Sequence, residues 1–458
     1  MSFIRAFRKC ELVPPGPKDG LPREEQRPAN EASPLPTLPP EIWHTILAYV
    51  VRRNGRSSTF LEDPFLPPRT TESSPLEDTD IASDRCSIPL VCRLWRSLAA
   101  EIVAEYLRIR SIAQLRAIVE KFEEVGDGPS LGEWVQRIDF QIPEPPTKLS
   151  RNLIPRLLRR TPNLMIYVNQ NGSDFRPETR TPSAVMEALA LYCAPSLRRL
   201  EWSNVGEAPA WCDLANVCQH APNLRTLRLT WIFSYDEPFQ GKMLDLPSLK
   251  TLSLGLIPDP IDNIVDLPLT WDPLLDYLAL NPDALPSIRR FDIEVFPTKI
   301  HFFKVHGPKI LTFRTTNWSR PPMLPSTLPL LTNLDSLVLT QSTEYVALPV
   351  SHSTLRRICI APFMEEHITV PPRLFNTAVL IPLDSVLLSI MSTKLPALAE
   401  VRLRNIGILA HLLDEPAWLL KWFRRWSLRN IKFLDMYGGS FGDVQDPDNN
   451  ALLNSVRC

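Results

Sequence analysis

The chain has 458 residues, 44% apolar and 22% charged, which is too long for one small domain and too apolar for a disordered polymer. Fifty lysines and arginines against 51 aspartates and glutamates leave a formal charge of −1, so composition gives no electrostatic reason to expect nucleic acid or an anionic membrane as partner. Forty-seven prolines exclude long unbroken helices and 15 glycines leave little for phosphate-cradling loops, which points to a segmented solenoid rather than an enzyme fold.

Residues 1–37 are proline-rich and polar and read as a disordered leader. Arg5, Arg8 and Lys9 are followed by Glu11, Pro14 and Pro15, with no apolar run of secretory length. The longest apolar stretch, Thr377 to Met391, holds Pro382 and Asp384 and is too short to span a bilayer. The eight cysteines are scattered, so reduced, mostly buried thiols and a cytoplasmic or nuclear location are expected.

Order begins at Leu38-Pro39-Pro40-Glu41-Ile42, where the prolines suit a helix start and Ile42, Ile46, Tyr49 and Val50 recur at helical spacing. Residues 54–84 carry nine Ser/Thr, seven acidic residues and two arginines, a net charge of 2 minus 7, or −5, and read as a flexible acidic insertion. Helical patterning resumes at Pro89, with rows Leu90, Leu94, Leu98 and Val91, Trp95, and continues through Ile102, Val103 and Tyr106. A second helix is expected from Ile112 to Phe122, making 101–133 a helical linker.

From Trp134 to about residue 442 the chain repeats P-x-L-x-x-L-x-L, most clearly at Pro222-Asn-Leu224, Pro247-Ser-Leu249, Pro286-Ser-Ile288 and Thr332-Asn-Leu334. Weaker copies start at Val135, Leu164, Leu197, Ile310, Leu355, Leu398 and Ile431, and a tail, 443–458, follows. In x-L-x-L a strand turns its leucines inward and the intervening residues outward. One strand–return unit cannot bury its inner face alone, whereas stacked units share a continuous core. The fold class expected is therefore α/β, a parallel sheet with helices or irregular returns along one side. Steps between anchors range from 21 to 43 residues, so the long ones require insertions or missed copies.

The words LPPEIWHTILAYV and LVCRLWRSLA, at 38–50 and 90–99, resemble the F-box, a short three-helix module. With the repeats behind it, the chain resembles the F-box leucine-rich-repeat proteins, the substrate receptors of Skp–cullin–F-box ubiquitin ligases. The resemblance implies that Leu38, Pro39, Ile42, Ile46, Leu47, Val91 and Trp95 pack on a Skp-family adaptor, and through it a cullin–RING ligase, or support that surface. It also implies a curved repeat sheet whose outward residues meet a protein substrate. The 54–84 insertion is longer than the family pattern, and its Ser/Thr cluster reads either as an unregulated spacer or as a site of added phosphate charge. The rival expectation is a repeat scaffold with no ubiquitin role, its N-terminal helices only capping the solenoid.

No G-x-S-x-G, H-E-x-x-H, Walker loop or C-x-x-C pair occurs, so neither catalysis nor a cofactor is expected. Cys212, Cys218 and His220 lack a fourth metal ligand in register, His301 and His306 read as strand-edge residues, and Gly438 to Gly442 as a terminal loop. Trp418, Trp422 and Trp426, at i, i+4, i+8 with Lys421, Arg424, Arg425 and Arg429 between and after them, read as a core stripe with solvated cations, or as a pocket for an acidic motif or base. Outward strand positions are Arg199, Glu201, Arg228, Ser253, Asp292, Glu294, Arg314, Val338, Arg402, Arg404 and Asp435, a mixed-sign surface suited to a protein partner.

Overall fold

Strand words 21 to 43 residues apart leave connections long enough for a crossover, so each strand can return and lie parallel to its predecessor. The computed structural model describes residues 38–52, 65, 87–124, 130–143, 148–171, 179–203, 206–233, 244–255, 271–316, 323–340, 346–361, 376–404, 412, 415–435 and 438–441. The 1–37 leader, the 54–84 insertion apart from Phe65, and the 443–458 tail lie outside the described residues.

Twelve strands form one sheet: β1 (Tyr106–Ile109), β2 (Arg137–Phe140), β3 (Ile166–Asn169), β4 (Arg199–Trp202), β5 (Thr226–Leu229), β6 (Thr251–Leu254), β7 (Arg290–Ile293), β8 (Thr312–Thr316), β9 (Ser336–Thr340), β10 (Arg357–Ala361), β11 (Glu400–Leu403) and β12 (Lys432–Leu434). Their order in space is their order in sequence, and every pair is parallel. This is a parallel-sheet, solenoid-like α/β fold.

The register stacks each strand's second residue into one inward column, running from Leu107 and Ile138 through Phe291 and Phe313 to Val401 and Phe433. All twelve are buried in a single core shared with the return helices. The anchors two residues ahead of the strands, from Val135 and Leu164 to Leu355, are buried as well.

The residue just ahead of the anchor locks successive repeats. Asn163 Nδ2 donates to the Glu133 carbonyl (2.8 Å), Ser196 Oγ to Pro162 (2.7 Å), Asn223 Nδ2 to Pro195 (2.8 Å), Asn333 Nδ2 to Pro308 (2.7 Å) and Thr354 Oγ1 to Thr332 (3.1 Å). Each pairs a turn carbonyl that the proline-broken backbone leaves without a ladder partner.

Several expectations change. Tyr106, read as helical, opens β1, so the sheet starts inside the segment read as a linker; the anchor position ahead of it is Ala104, buried but too small to show as a repeat. The 39- and 43-residue steps are insertions, not missed copies, because β6 pairs directly with β7 and β10 with β11. His301 and His306 lie on a helix, His301–His306, rather than a strand edge. That helix turns Phe302 and Phe303 onto Phe291, at 4.9 and 5.7 Å between ring centroids, and aromatic packing overrides the β-like composition of the segment.

Ahead of the sheet, helices α1 (Pro40–Arg52) and α2 (Arg93–Ala104) pack together, with Trp43 and Trp95 rings 5.2 Å apart. Leu47, Ile88, Ala99, Ile102 and Val103 form their own small core, and α2 also contacts the turn Leu131–Trp134. At the far end Phe441 packs against Phe433, their rings tilted and 4.8 Å apart, and residues 438–441 return as a loop bridging Leu434 to Ser440.

Candidate interaction surfaces

The N-terminal helix pair shows more apolar surface than it buries. Ile42 and Ile46, one turn apart on α1, are exposed, as are Leu90, Val91 and Leu94 at the junction into α2; Ile42 is 47% and Val91 57% accessible. Pro39 is also exposed. Leu38 and Trp95 are half-buried, and Leu47 is buried within the pair, supporting the surface rather than forming it. Residues 87–91 are helical, and Cys92 breaks the helix in an extended conformation and caps α2, its Sγ accepting from the Trp95 backbone N–H at 3.4 Å. The V-C-x-x-W spacing is thus a helix cap that places Trp95 against Trp43. Sequence reasoning missed Leu90 and Leu94 as surface residues, although their i, i+4 spacing was visible.

On the sheet, the first and third residues of each strand face away from the return helices. The third-position row runs Arg108, Asp139, Val168, Glu201, Arg228, Ser253, Asp292, Arg314, Val338, Cys359, Arg402, Leu434. Much of its charge is neutralised within single strands. Arg137 grips Asp139 with two 2.8 Å bonds, Arg290 Nε lies 2.8 Å from Asp292 Oδ1, Arg199 pairs with Glu201, and Glu400 pairs with Arg402 at 2.8 Å. These pairs are i, i+2, the spacing that puts two side chains on one face of a strand. The R-x-D/E words were legible in the sequence, but Arg137, Arg290 and Glu400 were not singled out.

Burial sharpens these pairs. Burial disfavours the Glu201 charge, yet Arg199 and then Arg228, 3.6 Å away, outweigh it and hold the carboxyl below its ordinary range. Burial, and then the charge of Asp139, push the Tyr106 hydroxyl up to about 12, and that hydroxyl donates to Asp139 at 2.6 Å.

Arg228, Ser253, Asp292, Glu294 and Arg314 come together along a cleft of about 210 Å³ at the ends of β5–β8, with Ser203, Thr230 and Gly255. Asp292 keeps one carboxylate oxygen, buried and with no hydrogen-bond partner. Arg314, its neighbour in register, makes no ion pair among the described residues. Arg199 and Glu201 adjoin this cleft through Arg228. Arg402 lies three strands from Arg314, and Arg404 and Asp435 are half-buried past the ends of β11 and β12.

The tryptophan row is core: Trp418, Trp422 and Trp426 are buried along the helix Pro416–Ser427. Asp384 of the helix Ile381–Ser392 accepts from Trp418 Nε1 (2.8 Å), Trp422 Nε1 and Lys421 Nζ (3.0 Å). The acidic partner of this cluster is therefore internal. Cys218 is buried while Cys212 and His220 are exposed, and no group of three or more potential metal ligands occurs among the described residues. Among the same residues no helix is long and apolar enough to cross a membrane.

Compared with known proteins, the chain matches no family model, and no curated protein matches it.

Proposed function

We propose that the chain is a non-enzymatic substrate receptor of a Skp–cullin–F-box ubiquitin ligase. The α1–α2 pair acts as the F-box that docks a Skp-family adaptor, and the sheet acts as a leucine-rich-repeat surface that holds a protein target. The observation that carries this reading is the exposed apolar set Ile42, Ile46, Leu90, Val91 and Leu94, on helices whose sequence reads LPPEI and VCRLW. A small helical unit with that much uncovered hydrocarbon is suited to a partner helix. Leu47, Trp43 and Trp95 give it a rigid base. Target selection is differential binding on the outward sheet face, where the cleft offers one unpaired carboxylate oxygen and one unpaired guanidinium, a donor–acceptor match for polar protein side chains rather than for a polyanion. The reading needs no cofactor and places the chain in the cytoplasm or nucleus with the ligase.

The test is co-expression with a Skp-family adaptor and its cullin, wild type against Ile42→Glu/Val91→Glu. The double variant alters only exposed positions, so it folds and loses both partners. A folded wild type that retains neither would leave the rival, a repeat scaffold with no ubiquitin role.

A further inference from the structure

Within the third-position row, Val338 and Cys359 are the adjacent pair with no charge or hydroxyl, on β9 and β10. Arg314 stands beside them on β8 and Arg402 on β11, and Arg357 precedes Cys359 by two residues on β10. The result is an apolar floor ringed by three guanidiniums. The nearby carboxylates Asp335 and Glu400 pair with Arg357 and Arg402, whereas Arg314 makes no ion pair among the described residues. Burial pushes the Cys359 thiol up to about 12, so it is neutral at physiological pH and serves as floor, not nucleophile.

The floor is covered. Phe65, from the acidic insertion, is 6% exposed and forms a separate apolar cluster with Val338 and Cys359. The Arg357 guanidinium lies 4.5 Å and that of Arg402 5.8 Å from the centre of its ring, both at cation–π distance. The residue is flanked in sequence by Glu62-Asp63-Pro64, within a stretch of net charge −5. An aromatic ring carried in an acidic sequence is the complement of that floor and ring.

We propose that the sheet face over β9–β11 is a binding site for an aromatic side chain carried by an acidic peptide, and that the chain's own Phe65 occupies it as an intramolecular competitor of the target. The proposal rests on the outward face being the target surface. It makes capture of a target a displacement reaction: a tether of this kind holds its ligand at an effective concentration on the order of 1 mM, so only a partner that outcompetes it is retained.

The test is fluorescence anisotropy of a labelled peptide copying residues 57–70, titrated with the full-length chain. The Phe65→Ala chain binds the peptide at least about tenfold more tightly than wild type, because the internal competitor is gone. A peptide with its Phe65 position changed to Ala does not bind. Arg314→Glu in the Phe65→Ala background, an exchange that breaks no ion pair, weakens binding by about fivefold or more through like-charge repulsion. Circular dichroism confirms that each variant is folded. Equal binding by wild type and Phe65→Ala, or unchanged binding by the Arg314→Glu variant, overturns the proposal. Adaptor capture through α1–α2 is scored separately: its loss would refute the receptor reading, while failure of the peptide titration with capture intact would refute only the competitor.

Discussion

Replacing Glu201 by Leu tests whether the strand-internal ion pairs build the sheet or stand ready for a partner. Glu201 is 3% exposed and accepts from Arg199 Nε at 2.8 Å, with Arg228 at 3.6 Å; the Arg199 side chain is itself only 11% exposed. Breaking a buried pair strands the remaining charge and costs about 3–5 kcal/mol, reduced here to about 2–4 kcal/mol because water reaches part of Arg199. Arg199→Met should cost less, about 1–3 kcal/mol, since Arg228 still faces the carboxylate. The double variant Arg199→Met/Glu201→Leu removes both charges and should return to within about 1 kcal/mol of wild type, a coupling of roughly 2 kcal/mol or more. Urea unfolding followed by tryptophan fluorescence reads all four proteins, with buried Trp202 next to the pair as reporter. A single Glu201→Leu within about 0.5 kcal/mol of wild type, or a double variant as costly as the sum of the singles, would refute the reasoning.

Other outcomes follow from the same geometry. Asp384→Ala leaves the buried Trp418 and Trp422 N–H groups without an acceptor and should cost about 2–4 kcal/mol, whereas Asp384→Asn, which keeps one acceptor oxygen, should cost about half; urea titration separates them. Gly132→Ala would put a methyl 2.0 Å from the Arg160 carbonyl oxygen, so a loss of about 1–3 kcal/mol is expected, measured as a fall in melting temperature. Glu201 has a depressed folded value, so its contribution is complete above its ordinary value of 4.5 and lost as pH falls through the lower one; Glu201→Gln should flatten the acid limb of a stability–pH curve there. His306 is fully buried and its Nε2 lies 2.9 Å from the Leu278 carbonyl; burial first, and then Lys309, hold it below its ordinary 6.5 despite the opposing pull of that carbonyl. Its contribution is therefore present above that value and falls away in acid, so melting temperature should drop as pH falls below 6.5 toward the lowered folded value, and less so in His306→Gln.

The sheet was legible because its signal is repeated. Leucine at two positions of each P-x-L-x-x-L-x-L word is a period-2 pattern anchored by a backbone break, and all eleven recognised anchors precede a strand. β1 escaped because Ala104 stands where the word needs a large side chain, and the His301–His306 helix because its aromatic and β-branched residues favour strands locally while the core around Phe291 and Phe313 selects a helix. Alternation alone put Glu201, Arg228, Ser253, Asp292, Arg314, Val338 and Arg402 on the outward third-position row, whereas Asp435, one residue past Leu434, falls out of that alternation. Their roles were not, since whether Asp292 or Glu201 faces a partner depends on the Arg two positions earlier. Phe65 could not be found at all: nothing in its neighbourhood shows periodicity, and its contacts with Val338 and Cys359 are some 270 to 290 residues away in the chain.

The N-terminal helix pair is reached most directly by calorimetric titration of the purified full-length chain with a purified Skp-family adaptor. One-to-one binding with a negative heat-capacity change from buried hydrocarbon is expected, abolished by Ile42→Glu/Val91→Glu and unchanged by Phe65→Ala. A folded wild-type chain that gives no heat at any temperature and does not co-elute with the adaptor would contradict the receptor reading.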